Sequence, residues 1–287
     1  MRVAFIGFGL IAGSIARALR SNPETNGWQL AAWSPSGDGP RRALAEGVID
    51  LAAPSLESVL PGADLVVLAG PATACFADLD GLAGPWRGLL SADAVITDVA
   101  STKGMLVDHA DALGLRFVGG HPMAGRETAG YAAADAGLFA DRPWVLVPGV
   151  GASGSDVALV ARLASACGAR IVQTDALTHD RAVAAISHLP LVLAAALVEA
   201  VAGRADWSEA ATLAAGAWRD MTRVARGDEA MGAAILATNA PAVATRLRDL
   251  RGALDAWLAE LERPDGPDER AITDRLHAAR SILDQSG

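Results

Sequence analysis

The chain has 287 residues, 52% of them hydrophobic, and a formal net charge of -9. That length suits two domains or one large one, with ample material for a core. The acidic balance argues against nucleic acid or an anionic membrane as the main partner, and two cysteines make no disulfide framework, which suits a reducing cytoplasm.

Met1 to Ile6 runs straight into glycines, without the basic region or cleavage site of a signal peptide. Val3 to Ile6 reads as a short apolar strand. Gly7-Phe8-Gly9-Leu10-Ile11-Ala12-Gly13-Ser14 follows, then a helix with apolar positions at Ile15, Ala18 and Leu19. A G-x-G-x-x-A run between a strand and a helix predicts a dinucleotide-binding turn. Gly7 makes the tight turn, Gly9 lets the backbone approach a pyrophosphate, and Ala12 keeps helix and strand close. The helix start, at Leu10 and Ile11, offers free N–H groups to the phosphates.

The second strand, Gln29 to Trp33, ends at Ser34, where NAD-binding folds usually place a carboxylate for the ribose. Ser34 and Ser36, with Arg41 and Arg42 just beyond, favour a 2′-phosphate slightly, hence NADP+ over NAD+. The arginines equally suit a solvated first helical turn, near Arg41 to Glu46, and Asp38 is an alternative ribose ligand. Ala63 to Ala69 reads as a buried parallel strand. It ends in Gly70-Pro71-Ala72-Thr73, a loop at a strand's carboxyl end, where such folds bind ligands; Gly70 and Pro71 join the cofactor set. Ala94 to Asp98 is the next strand. Ser101, Thr102 and Lys103 follow it, placed either to meet nicotinamide and substrate or to cap a helix from Met105 to Leu113.

Leu115 to Val118 reads as a strand leading into Gly119-Gly120-His121-Pro122. Glycines beside a histidine imply a backbone that something approaches closely; a lone histidine after a strand is by itself more often structural than catalytic. The long loop from Pro122 to Arg142, with Glu127 in it, has the length of a functional lid. Trp144 to Pro148 and Ala169 to Gln173 read as strands around a helix from Ser155 to Cys167.

From Asp175 the strand pattern stops, which predicts an α/β domain over 1–174 and an all-α one over 175–287. Helices are expected over 175–201 with a break or a kink at Pro190, over 207–226, over 228–261 with Pro241 as a break point, and over 268–283. Leu189 to Val198 is too short to span a bilayer, which needs about 20 residues. The alanine- and leucine-rich faces suit burial within the domain or against a second subunit. Three polar clusters stand out: Thr178-His179-Asp180, Ser187-His188 and Arg219 to Arg223. An arginine on an apolar helix can grip a carboxylate. His109 and His277 read as solvent-facing, and no ligand spacing for a metal is present.

Taken together, Gly7 to Ser14, Asp98 to Lys103, His121-Pro122-Met123-Ala124-Gly125 with Glu127, His179-Asp180, Ser187-His188-Leu189-Pro190 and Arg219 to Arg223 resemble the prephenate/arogenate (cyclohexadienyl) dehydrogenase family of tyrosine biosynthesis. The resemblance implies an α/β Rossmann-type nucleotide-binding domain followed by an all-α dimerisation domain, and a homodimer. It implies oxidative decarboxylation of prephenate and/or arogenate, with hydride transfer to NAD(P)+. His121 would then accept the ring hydroxyl's proton, a task suited to an imidazole of pKa about 6.5. Ser101, which also counts among the cofactor contacts, would orient His121 and the substrate. Arg223 would bind a substrate carboxylate and Glu127 would sit at the mouth of the site. His179 and His188 would support the interdomain face, and both are placed with Thr102 in the substrate set. Family members often carry a second histidine after the motif's proline; here Leu191 stands there, which leaves prephenate, arogenate or an amino-substituted analogue open. With no regulatory or chorismate mutase domain attached, a monofunctional enzyme is expected, with tyrosine a candidate competitor at the site. A hydroxy-acid dehydrogenase or imine reductase is disfavoured because no lysine follows Lys103. A non-catalytic nucleotide sensor would not need His121, Ser101 and Arg223 together.

Overall fold

The computed structural model of the chain describes residues 1–126 and 128–285. Glu127, expected at the mouth of the site, lies outside the described residues. Continuous apolar runs become strands buried on both faces of one sheet. β1 (Arg2–Ile6) pairs in parallel with β2 (Gln29–Trp33) on one side, and β3 (Leu51–Ala52) extends that edge. On the other side lie β4 (Leu65–Leu68), β5 (Val95–Asp98) and β6 (Phe117–Pro122), also parallel. β7 (Pro143–Pro148) runs antiparallel to β6, and β8 (Arg170–Gln173) runs parallel to β7. The order β3-β2-β1-β4-β5-β6-β7-β8 reverses direction between β1 and β4, where such sheets open a ligand crevice.

Side chains alternate between two cores. Val3 and Phe5 pack with α1 (Leu10–Ser21), α2 (Asp38–Ala45) and α6 (Gly154–Ala166). Ala4 and Ile6 pack with α3 (Leu56–Val59), α4 (Ala72–Ala83) and α5 (Gly104–Ala112). The sequence pattern did not mark β3, α3 or α4. The first two are too short to show a period. The third is alanine-rich and carries Gly81, which makes room for the ring of Trp86.

β6 runs to Pro122 rather than stopping at Val118, so His121 is a strand residue, opposite Val145 of β7. The cause is the glycine pair. A Cβ on Gly120 would stand 2.5 Å from the Asp98 carbonyl oxygen, and one on Gly119 would stand 3.0 Å from Lys103 Cδ. Glycine alone lets β6 lie this near to β5 and Lys103.

The expected helix over 175–201 is α7 (Ala176–Val183), a π turn (Ala184–His188) and α8 (Leu189–Ala202) in one continuous run. Pro190 has no N–H to offer and its ring crowds the preceding turn, so the helix widens there instead of kinking. Because the run is continuous, 176–202 has the length and apolarity to cross a membrane (27 residues, holding an 18-residue window of mean hydropathy 1.9), where Leu189 to Val198 alone read as too short. Yet His179, Asp180 and His188 within it are buried and hydrogen-bonded inside the folded unit. The stretch expected as one helix over 207–226 divides into α9 (Trp207–Thr212), α10 (Gly216–Thr222) and a 3-10 turn (Arg223–Arg226). The next breaks at Asn239, between α11 (Glu229–Thr238) and α12 (Ala240–Leu261). Pro241 sits in the first turn of α12, where its missing N–H costs nothing; Asn239, whose amide donates to the Asp180 carbonyl, stands between the two helices.

The chain forms two compact units, 1–240 and 241–287. The first helices after the sheet therefore belong to the same unit as the sheet. In the second unit, Arg275 of α13 (Glu269–Asp284) lies 4.1 Å over the Trp257 ring and donates to the Ala256 carbonyl at 2.9 Å. Leu254, Leu258 and Leu261 form an exposed stripe on α12 at helical spacing.

The packing of β6 makes Gly120→Ala a direct test of the fold. We expect a loss of about 1–3 kcal/mol of unfolding free energy, because the methyl group must push β5 and β6 apart. Denaturant unfolding measures it; an unchanged midpoint would mean the strands part freely.

Candidate active site

A cleft of about 480 Å³ opens over the β1–α1 turn, lined by Gly7, Gly9, Ser34, Ser36, Asp38 and Arg42 among others. Gly7 has φ +86°, and a Cβ there would stand 2.7 Å from the Ala69 carbonyl carbon, so the β1 and β4 loops touch at the crevice. A Cβ on Gly9 would meet nothing within 4 Å, which leaves the approach to the α1 N-terminus open. No side chain caps that terminus, so the N–H groups of Leu10 and Ile11 face the space unclaimed by a cap. Open cradle, helix start and short glycine turn together fit a dinucleotide pyrophosphate. Arg41 turns back onto the Asp38 carboxylate and donates to the Ser36 carbonyl at 3.2 Å. Arg42, rather than Arg41, is the arginine on the cleft wall.

Gly9, Gly70, Pro71 and Gly130 also line a larger cavity of about 650 Å³. The loop after β6 forms part of its wall and is pinned to α1. Tyr131, the chain's one tyrosine, packs where a Cβ on Gly13 would stand 2.6 Å from its ring. Its hydroxyl donates to Glu46 at 2.7 Å, Arg17 lies 4.9 Å over its ring, and Asp135 N–H donates to Ser14 Oγ at 3.0 Å. Nothing in the sequence pattern singled out Tyr131; the small residue at position 13 is the trace it leaves there.

Ser101 and His121 line the same cavity. His121 is 8% exposed, and its Nδ1 lies 2.9 Å from His179 Nε2. The Nδ1 of His179 lies 2.7 Å from Asp180 Oδ1. With Nδ1 engaged, Nε2 is the ring atom of His121 left for a ligand. Burial first, then the nearby His179, Lys103 and His188, hold the His121 imidazole well below its ordinary value of 6.5, so it stays neutral and able to accept a proton.

The other expected residues fall into two groups. Thr102 is buried and shares a 2.7 Å hydrogen bond with the Thr238 hydroxyl, so it fastens the 101–103 segment to α11 instead of reaching the cavity. Lys103, expected to meet nicotinamide or substrate, is wholly buried and ion-paired with Asp98. The start of α5 is not capped by Ser101 or Thr102; Asp180 accepts from the N–H groups of Lys103 and Gly104, each at 2.8 Å. His188 is buried, its Nδ1 3.2 Å from the Asn239 amide nitrogen, which also donates to the Asp180 carbonyl. His179 stands behind His121. Arg223 is exposed, one 3-10 turn before Gly227 of the cavity wall. His109, expected to face solvent, is partly buried and bonds Asp80 at 2.8 Å. Residues that line the cavity without having been expected include Ser187, Met123, Asp228 and Met231. Ser187 was within reach of sequence reasoning, one position before His188; the choice between them turns on the phase of the π turn.

Comparison with known proteins gives a consistent picture. The family model described as prephenate dehydrogenase, nucleotide-binding domain, matches residues 15–173, and prephenate dehydrogenase, dimerization domain, matches residues 175–273. The chain is similar to the prephenate dehydrogenase of Bacillus subtilis, 33% identical over 265 residues, covering 91% of this chain and 68% of that one. It is similar in structure to Synechocystis arogenate dehydrogenase, at 30% identity and a TM-score of 0.80, over 99% of this chain and 100% of that one. A prephenate dehydrogenase from A. aeolicus, in complex with hydroxyphenyl propionate and NAD+, matches at 25% identity and a TM-score of 0.90, over 100% of this chain and 98% of that one.

The buried histidines tie stability to pH. Burial, with His179 adding and Asp180 opposing, holds His188 down from 6.5 to about 4, and His121 is also held low. In the unfolded chain both titrate near 6.5. Unfolding therefore takes up protons below that value, and stability falls as pH drops from about 6.5 towards about 4. Denaturant unfolding at about pH 7.5 and about pH 5 checks the sign; equal stability would mean that the folded protein protonates these rings freely.

Proposed function

The chain belongs to the prephenate dehydrogenase family and is an oxidoreductase; from that premise we propose that it oxidatively decarboxylates prephenate, arogenate or both, in tyrosine biosynthesis. The observation that carries the reading is a neutral His121 on the wall of a cavity that also holds Ser101 and joins the nucleotide cleft.

Bound NAD(P)+ supplies the acceptor for the hydride that leaves ring carbon four. His121 takes the proton of the ring hydroxyl on Nε2 as the carbon–oxygen bond gains double-bond character. The bond from carbon one to its carboxylate then breaks, and its electron pair restores the ring and returns to oxygen. The phenolic oxygen recovers the proton from His121, so the balance is one phenol, one CO2 and one reduced cofactor, with the imidazole neutral again. Ser101 orients the hydroxyl and His121. Arg223 binds a substrate carboxylate. His179, His188 and Thr102 hold this arrangement from behind.

We assign the nucleotide-binding domain to 1–174 and the dimerisation domain to 175–287. The exposed Leu254, Leu258 and Leu261 stripe, and α8, in which Ala194 is the buried position, supply apolar surface for a second copy. Ser34 in place of a carboxylate, with Arg42 on the cleft wall, favours NADP+. The two thiols, Cys75 and Cys167, are buried and suit the cytoplasm. Leu191, half-buried against Gly232, leaves an amino-substituted analogue as the second substrate reading.

Absorbance of reduced cofactor, followed with prephenate and arogenate against each of NAD+ and NADP+, tests the reaction. Turnover of at least one pair is expected, and none with either substrate sinks the assignment. His121→Asn should lower kcat by about 10²–10⁴-fold and leave cofactor binding intact; a variant with full turnover would remove His121 from the chemistry. Arg42→Ala should weaken NADP+ by about tenfold or more while NAD+ is little affected. Equal effects on both cofactors would end the 2′-phosphate assignment.

A further inference from the structure

Asp180 is buried, and both its oxygens are occupied. Oδ1 accepts from Lys103 N–H at 2.8 Å and lies 2.7 Å from His179 Nδ1; Oδ2 accepts from Gly104 N–H at 2.8 Å. Burial pushes the carboxyl up, but the bonds from His179, Lys103 and Gly104 outweigh it and hold it below the usual carboxylate range. The closeness is built in: a Cβ on Gly104 would stand 2.9 Å from Oδ2. From the other side, the Asn239 amide holds the Asp180 carbonyl at 2.8 Å.

Proton positions follow in sequence from this carboxylate. An ionised carboxylate only accepts, so His179 carries its proton on Nδ1. Taking His179 as the neutral imidazole, the resting form of the histidine in a hydrolytic triad, its lone pair lies on Nε2, 2.9 Å from His121 Nδ1. That lone pair requires a proton opposite, so His121 is protonated on Nδ1. The lone pair of His121 is left on Nε2, the atom free for the cavity. The other charged or titratable groups near His121 are Lys103, which is paired with Asp98, and His188, which is bonded to Asn239.

We propose that Asp180 is a positioning residue which, through His179, selects the tautomer of His121 and so makes Nε2 the proton acceptor. The proposal rests on the dehydrogenase reading for its catalytic meaning and on hydrogen-bond geometry for its substance. The logic is that of a carboxylate–histidine pair in hydrolytic triads, with a second imidazole inserted between carboxylate and base. A carboxylate serving only as the cap of α5 would leave the His121 tautomer and the chemical step unmoved.

The test begins with ¹⁵N spectra of the imidazoles, in a chain with only five histidines. In the wild-type protein His121 should show a protonated Nδ1 and a bare Nε2. Asp180→Asn removes the charge that holds His179 Nδ1–H and puts an NH2 donor in place of one oxygen, so His121 should no longer show a single Nδ1-protonated form. His179→Phe leaves the cap of α5 in place and removes the acceptor for His121 Nδ1. In each variant kcat should fall by about 10²–10⁴-fold, with substrate KM and cofactor Kd within about threefold of wild type. The double variant should fall no further than the worse single, as expected of residues acting as one unit. If Asp180→Asn fails to fold, the wild-type spectrum and His179→Phe still decide. A bare Nδ1 on wild-type His121, or kcat within about threefold of wild type in the folded variants, overturns the proposal. The tautomer requires neither substrate nor cofactor, so a wild-type protein inactive on both substrates would fail the dehydrogenase reading while the spectra still judged the relay.

Discussion

The carboxylate of Asp98, at the end of β5, is the knot on which the site depends. Its Oδ1 accepts from Gly120 N–H at 3.0 Å, and its Oδ2 accepts from Ala100 N–H at 2.9 Å and from the Lys103 ammonium. Both charged groups are wholly buried. Removing one partner from such a pair typically costs about 3–5 kcal/mol, because the other charge is stranded. The three contacts bracket Ser101 and end just before His121. Two ligand-facing side chains from adjacent strand ends are thereby held by one charge that neither touches, and the chain's single lysine is spent on structure.

Close backbone approach recurs wherever the site needs it, and small residues mark each place. Gly7 lets the β1 turn lie against the β4 loop, and Gly119 with Gly120 lets β6 lie against β5 and Lys103. Gly13 receives the Tyr131 ring, so the loop after β6 is anchored on α1 beside the glycine turn. One segment therefore borders both the nucleotide cleft and the larger cavity. Placement of a cofactor and placement of a ring substrate become a single packing problem.

The helical wall solves a different problem. Pro190 prevents a regular turn, and the π turn before it puts Ile186 and Ser187 on the cavity while His188 points inward to Asn239. The same asparagine ends α11 and holds the Asp180 carbonyl. A local defect in one helix and the end of another thus set the backdrop against which His179 and His121 are aligned.

The class of fold was legible in the chain, because it depends on local periods: apolar runs for strands, the glycine turn between strand and helix, and the loss of strand pattern after Asp175. Ser34 and Gly70 of the cleft, and Leu10 and Ile11 of the larger cavity beside it, were legible for the same reason, since each lies at the carboxyl end of a strand or at the helix start that follows it. His121 and Ser101 were legible only through the resemblance of their motifs. What the tertiary structure alone decided are partnerships across long separations. Thr102 goes to Thr238, Lys103 to Asp98, and Asp180 serves both α5 and His179. Each polar group was visible in the sequence, but a buried donor or acceptor must be satisfied by whatever the fold brings within about 3 Å, and no local period encodes which group that will be.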